Sequence, residues 1–107
     1  MSEKRQLDAL RLLGSNSDLT QRDLAKLLGV SLGATNYCLR ALVEKGWIKL
    51  ENFQNNQSKL GYLYLLTPLG IAAKTKLTAL FLKQKLREYE ALEVEIEHLK
   101  SEIRRAK

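Results

Sequence analysis

The sequence predicts a mainly α-helical protein with one small β-hairpin and a long C-terminal helix. Three observations predict this class. Apolar residues recur at three- and four-residue spacing through residues 1–45, with glycine or polar breaks between the segments. Two short runs of strand-forming residues then flank a polar stretch. After the single proline, the chain to residue 106 contains only one glycine, which is typical of an uninterrupted helix.

Local capping signals define the first two helices. The first helix is predicted over residues 2–13, because the following segment is rich in glycine, serine and asparagine. Thr20 can cap the second helix, and Asp23 completes a capping box at the required three-residue spacing. Gly29 supplies the left-handed residue that ends this helix.

The third predicted helix has two different long faces. It begins after the cap Ser31 and runs to Lys45 before Gly46. The predicted buried stripe consists of Thr35, Cys38, Leu39, Leu42 and Val43. The opposite stripe consists of Gly33, Asn36, Tyr37 and Arg40. An amide, a phenol, a guanidinium and a bare backbone position suit base edges and phosphates. A helix-turn-helix motif places such a face in the major groove of DNA.

A polar face is also found on any solvated surface helix. Between Leu32 and Val43, however, this helix carries one formal charge, at Arg40. A helix that is only solvated usually carries several charges, so the pattern favours DNA recognition over solvation.

The segment after Gly46 changes from helical to strand periodicity. Strand formers dominate residues 47–53 and again residues 60–66, and residues 54–59 between them are all polar. These runs predict a β-hairpin. In the order helix, helix, helix, hairpin, the polar loop is the wing of a winged helix. Its amides and Lys59 are candidates for contact with a phosphate or the minor groove, although a solvated hairpin tip would have a similar composition.

The last helix begins with a strong local signal. Thr67 can cap it, and the fixed φ of Pro68 suits the first helical position. We therefore predict one helix to Ala106. This divides the chain into a winged helix-turn-helix DNA-binding domain over residues 1–67 and a long dimerisation helix over residues 68–107.

The second half of this helix has a heptad pattern. Its a and d positions include Leu82, Tyr89, Leu92, Ile96, Leu99 and Ile103. Isoleucine at a with leucine at d favours two strands, so these residues are predicted to form a homodimeric coiled coil. A single helix would leave them in water. The flanking charges favour a parallel pair slightly, and an antiparallel pair remains an alternative.

Positive charge is concentrated outside the predicted coiled coil. The chain has 18 Lys and Arg against 12 Asp and Glu, a net charge of +6. Residues 1–80 hold 11 basic and 6 acidic side chains, whereas residues 81–107 hold 7 and 6. A polyanionic partner is therefore expected on the globular part of the chain.

The sequence predicts no catalytic, cofactor or metal site. Cys38 falls on the predicted buried stripe, which favours an inert core thiol over a redox sensor. The sole histidine, His98, lies on the predicted coiled coil, and no metal-ligand cluster or pair of catalytic carboxylates is visible. No secretory signal or run of ~18 apolar residues occurs. We therefore expect a cytoplasmic protein that is not an enzyme and does not bind membranes.

Residues 24–70 resemble the winged-helix domain of MarR-like bacterial transcription regulators. The matching pieces are LAKLLGVS, LVEKGWI and LTPLG. The longer runs TNYCLRALVEKGWIKLENF and YLYLLTPLGI resemble a small branch of that family associated with exopolysaccharide gene clusters. The resemblance implies binding of double-stranded DNA by a winged helix-turn-helix.

The resemblance also implies positions for the DNA contacts. The family's major-groove positions fall on Leu32, Gly33, Ala34, Asn36, Tyr37 and Arg40, and we add the preceding Ser31. The wing falls on Asn55, Asn56, Gln57, Ser58 and Lys59. This wing lacks the Asp-x-Arg pattern of the larger family, and Lys59 is the nearest substitute. The extra helices that build the effector pocket of larger members are also missing, so a small-molecule effector is left open.

Two functions of different classes fit these patterns. The first is a dimeric, sequence-specific transcription regulator, acting by resemblance on surface or exopolysaccharide genes. The second is a winged-helix adaptor whose coiled coil or wing binds another protein. The charge distribution and the weakly charged face of the third helix favour the regulator.

Overall fold

Helices and one antiparallel hairpin make up the computed structural model, which describes residues 2–53 and 61–106. The elements in chain order are α1 (Glu3–Ser15), α2 (Gln21–Leu28), α3 (Leu32–Glu44), β1 (Ile48–Phe53), β2 (Gly61–Leu66) and α4 (Pro68–Ala106). The predicted class is confirmed: a winged helix-turn-helix followed by a long C-terminal helix.

Helix α1 is longer than the sequence predicted. Ser2 caps it by accepting a hydrogen bond from the Arg5 backbone N–H at 3.2 Å. The predicted end after residue 13 is wrong, because the helix continues through Gly14 to Ser15. A Cβ on Gly14 would lie 3.2 Å from Lys74 Nζ and 3.5 Å from a Leu66 methyl group, and this glycine lies within the helix rather than ending it.

The predicted capping box of α2 is confirmed. The Asp23 N–H donates to Thr20 Oγ1, and the Thr20 N–H donates to Asp23 Oδ2, each at 3.1 Å. The hydrogen bond that the Thr20 backbone N–H donates to the carboxylate, and then the interaction of the carboxylate with the Thr20 side chain, lower the pKa of the Asp23 carboxyl. Because the unfolded chain binds this proton more tightly, the contribution to stability is present at neutral pH and is lost as the pH falls through the lowered pKa.

Local features mark both ends of helix α3, a serine cap at its start and a left-handed glycine after its end. Ser31 Oγ accepts a hydrogen bond from the Ala34 N–H at 3.1 Å at its start. At its end, Lys45 is the C-cap and Gly46 adopts a left-handed conformation with φ of 75°. The Lys45 ammonium then donates to Gln6 Oε1 at 3.1 Å and lies 4.5 Å from the centre of the Trp47 ring. These contacts fix the end of α3 against α1.

The core lies among the three short helices, the hairpin and the first part of α4. Helix α1 packs on α2, α3 and β2, while α3 also packs on α2 and β1. The buried apolar residues are Leu7, Ala9, Leu10, Leu13, Leu24, Cys38, Leu39, Leu42, Ile48, Tyr64 and Leu77. Four of the five residues of the predicted α3 stripe are buried. The fifth, Val43, is 41% exposed, because it lies on the edge of the stripe that faces the open groove beside Leu50.

The two strands pair in antiparallel register from Ile48 with Leu66 to Phe53 with Gly61. Strand alternation places Ile48 toward the core, and the opposite face of β1 carries an ion pair between Lys49 and Glu51 at 2.9 Å. The hairpin therefore covers the core with one face only.

The start of α4 is joined to the end of α3 through backbone groups. The Thr67 hydroxyl donates to the Gly46 carbonyl oxygen, and the Thr67 N–H donates to the Trp47 carbonyl oxygen at 3.0 Å. Thr67 Oγ1 also accepts from the Gly70 N–H at 3.0 Å, as a helix cap does. A Cβ on Gly70 would lie 1.9 Å from the Trp47 carbonyl oxygen, so only glycine fits this position. We call this set of contacts the α3–α4 junction.

Helix α4 contributes to two compact units. The first unit ends at Leu77 and contains the junction, and the second begins at Thr78 and consists of the rest of the helix. The predicted division at residue 67 follows the start of the helix instead of this packing boundary, and it remains a prediction. In the second unit, the large apolar side chains from Leu82 to Ile103 are exposed, and Phe81 is half-buried.

Two glycine-to-alanine variants should have opposite effects on stability. Gly70→Ala places a methyl group against the Trp47 carbonyl, and we expect it to lower the free energy of unfolding by about 2–3 kcal/mol. Gly33→Ala is the control, because a Cβ there has only Ser31 Oγ at 4.0 Å, and it should gain about 0.5–1 kcal/mol. Urea unfolding measures both. A Gly70→Ala variant as stable as the parent would contradict the described junction.

Candidate nucleic-acid interface

Four of the residues predicted to contact DNA lie together on one open face of α3. Gly33, Asn36, Tyr37 and Arg40 line a single shallow depression on the surface of the helix. The Tyr37 side chain is 68% exposed. Because the opposite face of α3 packs on α2 and β1, this face is free to approach a ligand. The structure thus assembles the four residues, and their contact with DNA remains a prediction.

The N-terminal end of α3 combines capping with exposed donors. Ser31 and Leu32 are exposed, and Ala34 is half-buried behind them. The Ser31 oxygen accepts the capping bond, but its hydroxyl hydrogen is not needed for the cap. That hydrogen and the positive end of the helix dipole both suit a phosphate. Leu32, at 42% exposed, offers an apolar surface of the kind that contacts a thymine methyl.

Asn36 accepts a hydrogen bond from Gln21, a residue that the sequence did not indicate as part of the site. The Gln21 Nε2 donates to Asn36 Oδ1 at 3.3 Å and to the Tyr64 hydroxyl at 2.9 Å. The packing of α2 on α3 brings Gln21, at the start of α2, to the middle of α3. No local motif signals it, however.

An acidic residue limits the candidate interface at its C-terminal end. Glu44 lies one turn past Arg40 and lines the same depression. Its carboxylate repels phosphates, whereas Arg40 attracts them. We infer that the segment from the N-cap Ser31 to Arg40 is the part of α3 suited to a polyanion.

The predicted wing contacts lie outside the described residues. These are Asn55, Asn56, Gln57, Ser58 and Lys59, and their roles remain predictions. Strand pairing on either side of this segment extends to Phe53 and Gly61.

The described residues also bear on three other kinds of feature: a reactive thiol, a metal-binding cluster and a membrane-spanning helix. The Cys38 thiol is buried at 1% exposure, and burial raises its pKa, so little reactive thiolate forms at neutral pH. This confirms the predicted core position of the thiol. Residues 2–53 and 61–106 contain no group of three or more His, Cys, Asp or Glu side chains placed to hold a metal ion. Within the same ranges, no helix has both the length and the apolar character needed to cross a membrane.

Comparison with known proteins agrees with this geometry. A family described as winged helix-turn-helix DNA-binding matches residues 2–49, which span α1 to the start of β1. No curated protein matches the sequence.

Among solved structures, the chain is similar to the multiple antibiotic resistance repressor MarR, with 29% identity and a TM-score of 0.68, covering 83% of this chain and 62% of that one. It is also similar to a cysteine-to-serine mutant of ZitR from Lactococcus lactis, solved in complex with DNA. There the identity is 25% and the TM-score 0.65, over 86% of this chain and 60% of that one.

A third structure shows the same fold at lower identity. The adhesin competence repressor AdcR of Streptococcus pyogenes has 24% identity and a TM-score of 0.66, covering 86% of this chain and 65% of that one. The chain thus spans less than two thirds of each of these three proteins. The family match over residues 2–49 and the shared fold together show a winged helix-turn-helix like that of MarR-type DNA-binding transcription regulators.

Proposed function

We propose that this protein is a dimeric, sequence-specific DNA-binding transcription regulator that inserts α3 into the major groove. The observation that carries the proposal is the open face of α3, which brings Asn36, Tyr37 and Arg40 together on a helix supported from behind by α2 and β1. This is the arrangement in which a helix-turn-helix presents its second helix to base edges.

The side chains of this face differ in the DNA groups that their chemistry allows them to contact. Asn36 carries a donor and an acceptor and can pair with an adenine in bidentate fashion. Tyr37 can touch a thymine methyl or a phosphate. Arg40 lies farther from the N-terminus of α3, where it can contact either a guanine or the backbone. Base contacts specify a sequence and phosphate contacts position the protein, so each residue has a separable effect on binding.

The charge distribution supports a phosphate-rich partner. The globular residues 1–80 hold five more basic than acidic side chains, while the remaining residues hold a surplus of one. Within α2, which packs on α3, Arg22 and Lys26 are exposed. This surplus supplies the sequence-independent part of DNA affinity.

The exposed apolar residues of α4 support the homodimer. Leu92, Ile96, Leu99 and Ile103 are 53%, 42%, 55% and 63% exposed, and they repeat at heptad spacing. A lone soluble helix rarely leaves such a stripe in water, and a second copy of the same helix covers it. In a parallel pair, Glu95 meets Lys100 of the other chain across the seam. Two copies of α3 would then bind two half-sites.

By resemblance, we further propose that the regulated genes serve the cell surface or exopolysaccharide production. The support is the similarity of two sequence runs to the exopolysaccharide-associated branch, which spans α3, the hairpin and the start of α4.

A protein–protein adaptor is the second candidate. The exposed stripe from Leu92 to Ile103 favours it, because another protein's helix could cover these residues as well as a second copy could. The two functions differ in their need for DNA. A salt-dependent shift of duplex DNA by the purified chain supports the regulator, and its absence supports the adaptor.

The electrostatic contribution of phosphate contacts to DNA affinity can be measured from the dependence of that affinity on salt. If α3 and its surroundings make about six phosphate contacts, affinity should fall by roughly 10³-fold between about 50 and 200 mM salt, with a linear plot of log affinity against log salt. Fluorescence anisotropy with a labelled duplex gives this slope. A flat salt response would exclude DNA as the polyanionic partner.

We expect Asn36 to contribute to the preference for a DNA sequence, and this role can be tested. Selection of bound duplexes from a random pool should first yield a preferred site with two-fold symmetry. On that site, Asn36→Ala should cost about 1–3 kcal/mol of binding free energy, with little change on random DNA, because base contacts carry the discrimination.

Arg40→Ala is the informative comparison. A loss confined to the preferred site assigns Arg40 to a base, and an equal loss on both DNAs assigns it to the backbone. If Asn36→Ala weakened both DNAs equally, the groove face of α3 would be wrongly assigned.

The dimer can be tested with a charge-matched pair of variants. Ile96→Lys with Leu99→Lys places two ammonium groups in the proposed seam, and we expect a species of half the mass and much weaker DNA binding. His98→Lys with Ser101→Lys adds the same charge on the outer side of the helix and should leave both unchanged. Light scattering measures the mass. A dimer that persists in the first variant would place the interface elsewhere.

A further inference from the structure

The Gln21 side chain connects α2, α3 and β2 beside the candidate interface. Its amide nitrogen has two hydrogens, and the bonds to Asn36 Oδ1 at 3.3 Å and to the Tyr64 hydroxyl at 2.9 Å use both. Tyr64 is 6% exposed, Gln21 is half-buried and Asn36 is exposed. One end of this chain of hydrogen bonds is therefore fixed in the core, and the other end is the side chain proposed to read a base.

Gln21 and Tyr64 are each held in place by the surrounding structure. Tyr64 belongs to β2 and pairs with Leu50, so its ring is held by the sheet as well as by burial. Gln21 is the first residue of α2 and lies between Thr20 and Asp23, which form the capping box. Because neither residue depends on DNA for its position, the donor offered to Asn36 is in place before any ligand arrives.

From this geometry we propose that Gln21 is a positioning residue that fixes the orientation of the Asn36 amide and so helps to determine which base Asn36 selects. The inference rests on the proposed function, because it assumes that α3 reads DNA. It adds a residue of α2 to the specificity of a site otherwise built from α3.

The orientation of the Asn36 amide matters because its nitrogen donates hydrogen bonds and its oxygen accepts them. With Oδ1 bound to Gln21, the Nδ2 of Asn36 keeps both hydrogens for acceptors on a base edge, such as N7 of a purine, O6 of guanine or O4 of thymine. The second lone pair of Oδ1 can still accept from adenine N6. An amide rotated by 180° would instead direct its oxygen toward the base and favour donors, such as N4 of cytosine. Holding one orientation therefore favours bases that present an acceptor, alone or beside a donor as adenine does, over cytosine, which presents only the N4 donor.

A double-mutant cycle tests the coupling. Gln21→Met keeps a similar side-chain size but removes both donated hydrogen bonds. In the otherwise unchanged chain it should weaken binding to the preferred duplex by about five- to tenfold and leave random DNA unchanged. In the Asn36→Ala background it should change binding to the preferred duplex by less than about twofold, because the group that it positions is gone.

A second variant tests orientation, which a merely structural role would not change. Gln21→Glu replaces the donor by a carboxylate, which accepts hydrogen bonds only. Asn36 should then rotate to donate from Nδ2 to Glu, so that Oδ1 faces the groove. Selection from a random pool should show a changed base at the single position that loses its preference in Asn36→Ala. Overall affinity also falls on every duplex, because a negative charge has been added near phosphates.

The outcomes separate this inference from the proposed function. Equal losses for Gln21→Met in both backgrounds, or equal losses on preferred and random DNA, would show that Gln21 contacts DNA by itself and would overturn the positioning role alone. An unchanged base preference in Gln21→Glu would do the same. If the parent chain selects no preferred duplex, the proposed function fails and the positioning role fails with it. Binding is measured well below the thermal midpoint of each variant, so that unfolding does not contribute.

Discussion

The α3–α4 junction is the constraint on which the N-terminal unit depends. Thr67 binds the carbonyl oxygens of Gly46 and Trp47, and Gly70 lets α4 approach that backbone without a side chain between them. These contacts close the base of the hairpin and fix the end of α3 at the same time. Since the candidate interface lies on α3, its orientation relative to the hairpin is set by backbone contacts at the C-terminal end of the helix.

Much of the fold could be predicted because its signals are local. Thr20 with Asp23, Ser31 and Gly29 each act within three or four residues, so the sequence alone places them correctly at helix ends. Gly14 is the contrast. It sits in a segment typical of a loop, yet α1 continues through it to Ser15, and the Asn16 N–H donates to the Leu12 carbonyl oxygen just beyond the helix end.

The candidate site was predictable in part for the same reason. Helical periodicity places Asn36, Tyr37 and Arg40 on one exposed face, and the structure brings them together as expected. The link from Gln21 to Asn36 and Tyr64 was not predictable, because it joins residues 15 and 43 positions apart in sequence. Such a contact exists only after the helices and the hairpin have packed, and no spacing rule reports it.

The buried thiol of Cys38 has a practical consequence for spectroscopy. The side chain is 1% exposed and its pKa is raised by burial, so a thiol-specific reagent should leave it unmodified in the folded protein. A cysteine introduced at an exposed position of α4 would therefore be the only reactive thiol, without removal of the native one. A single spin label on each copy would then report the separation of two α4 helices and distinguish a parallel from an antiparallel pair.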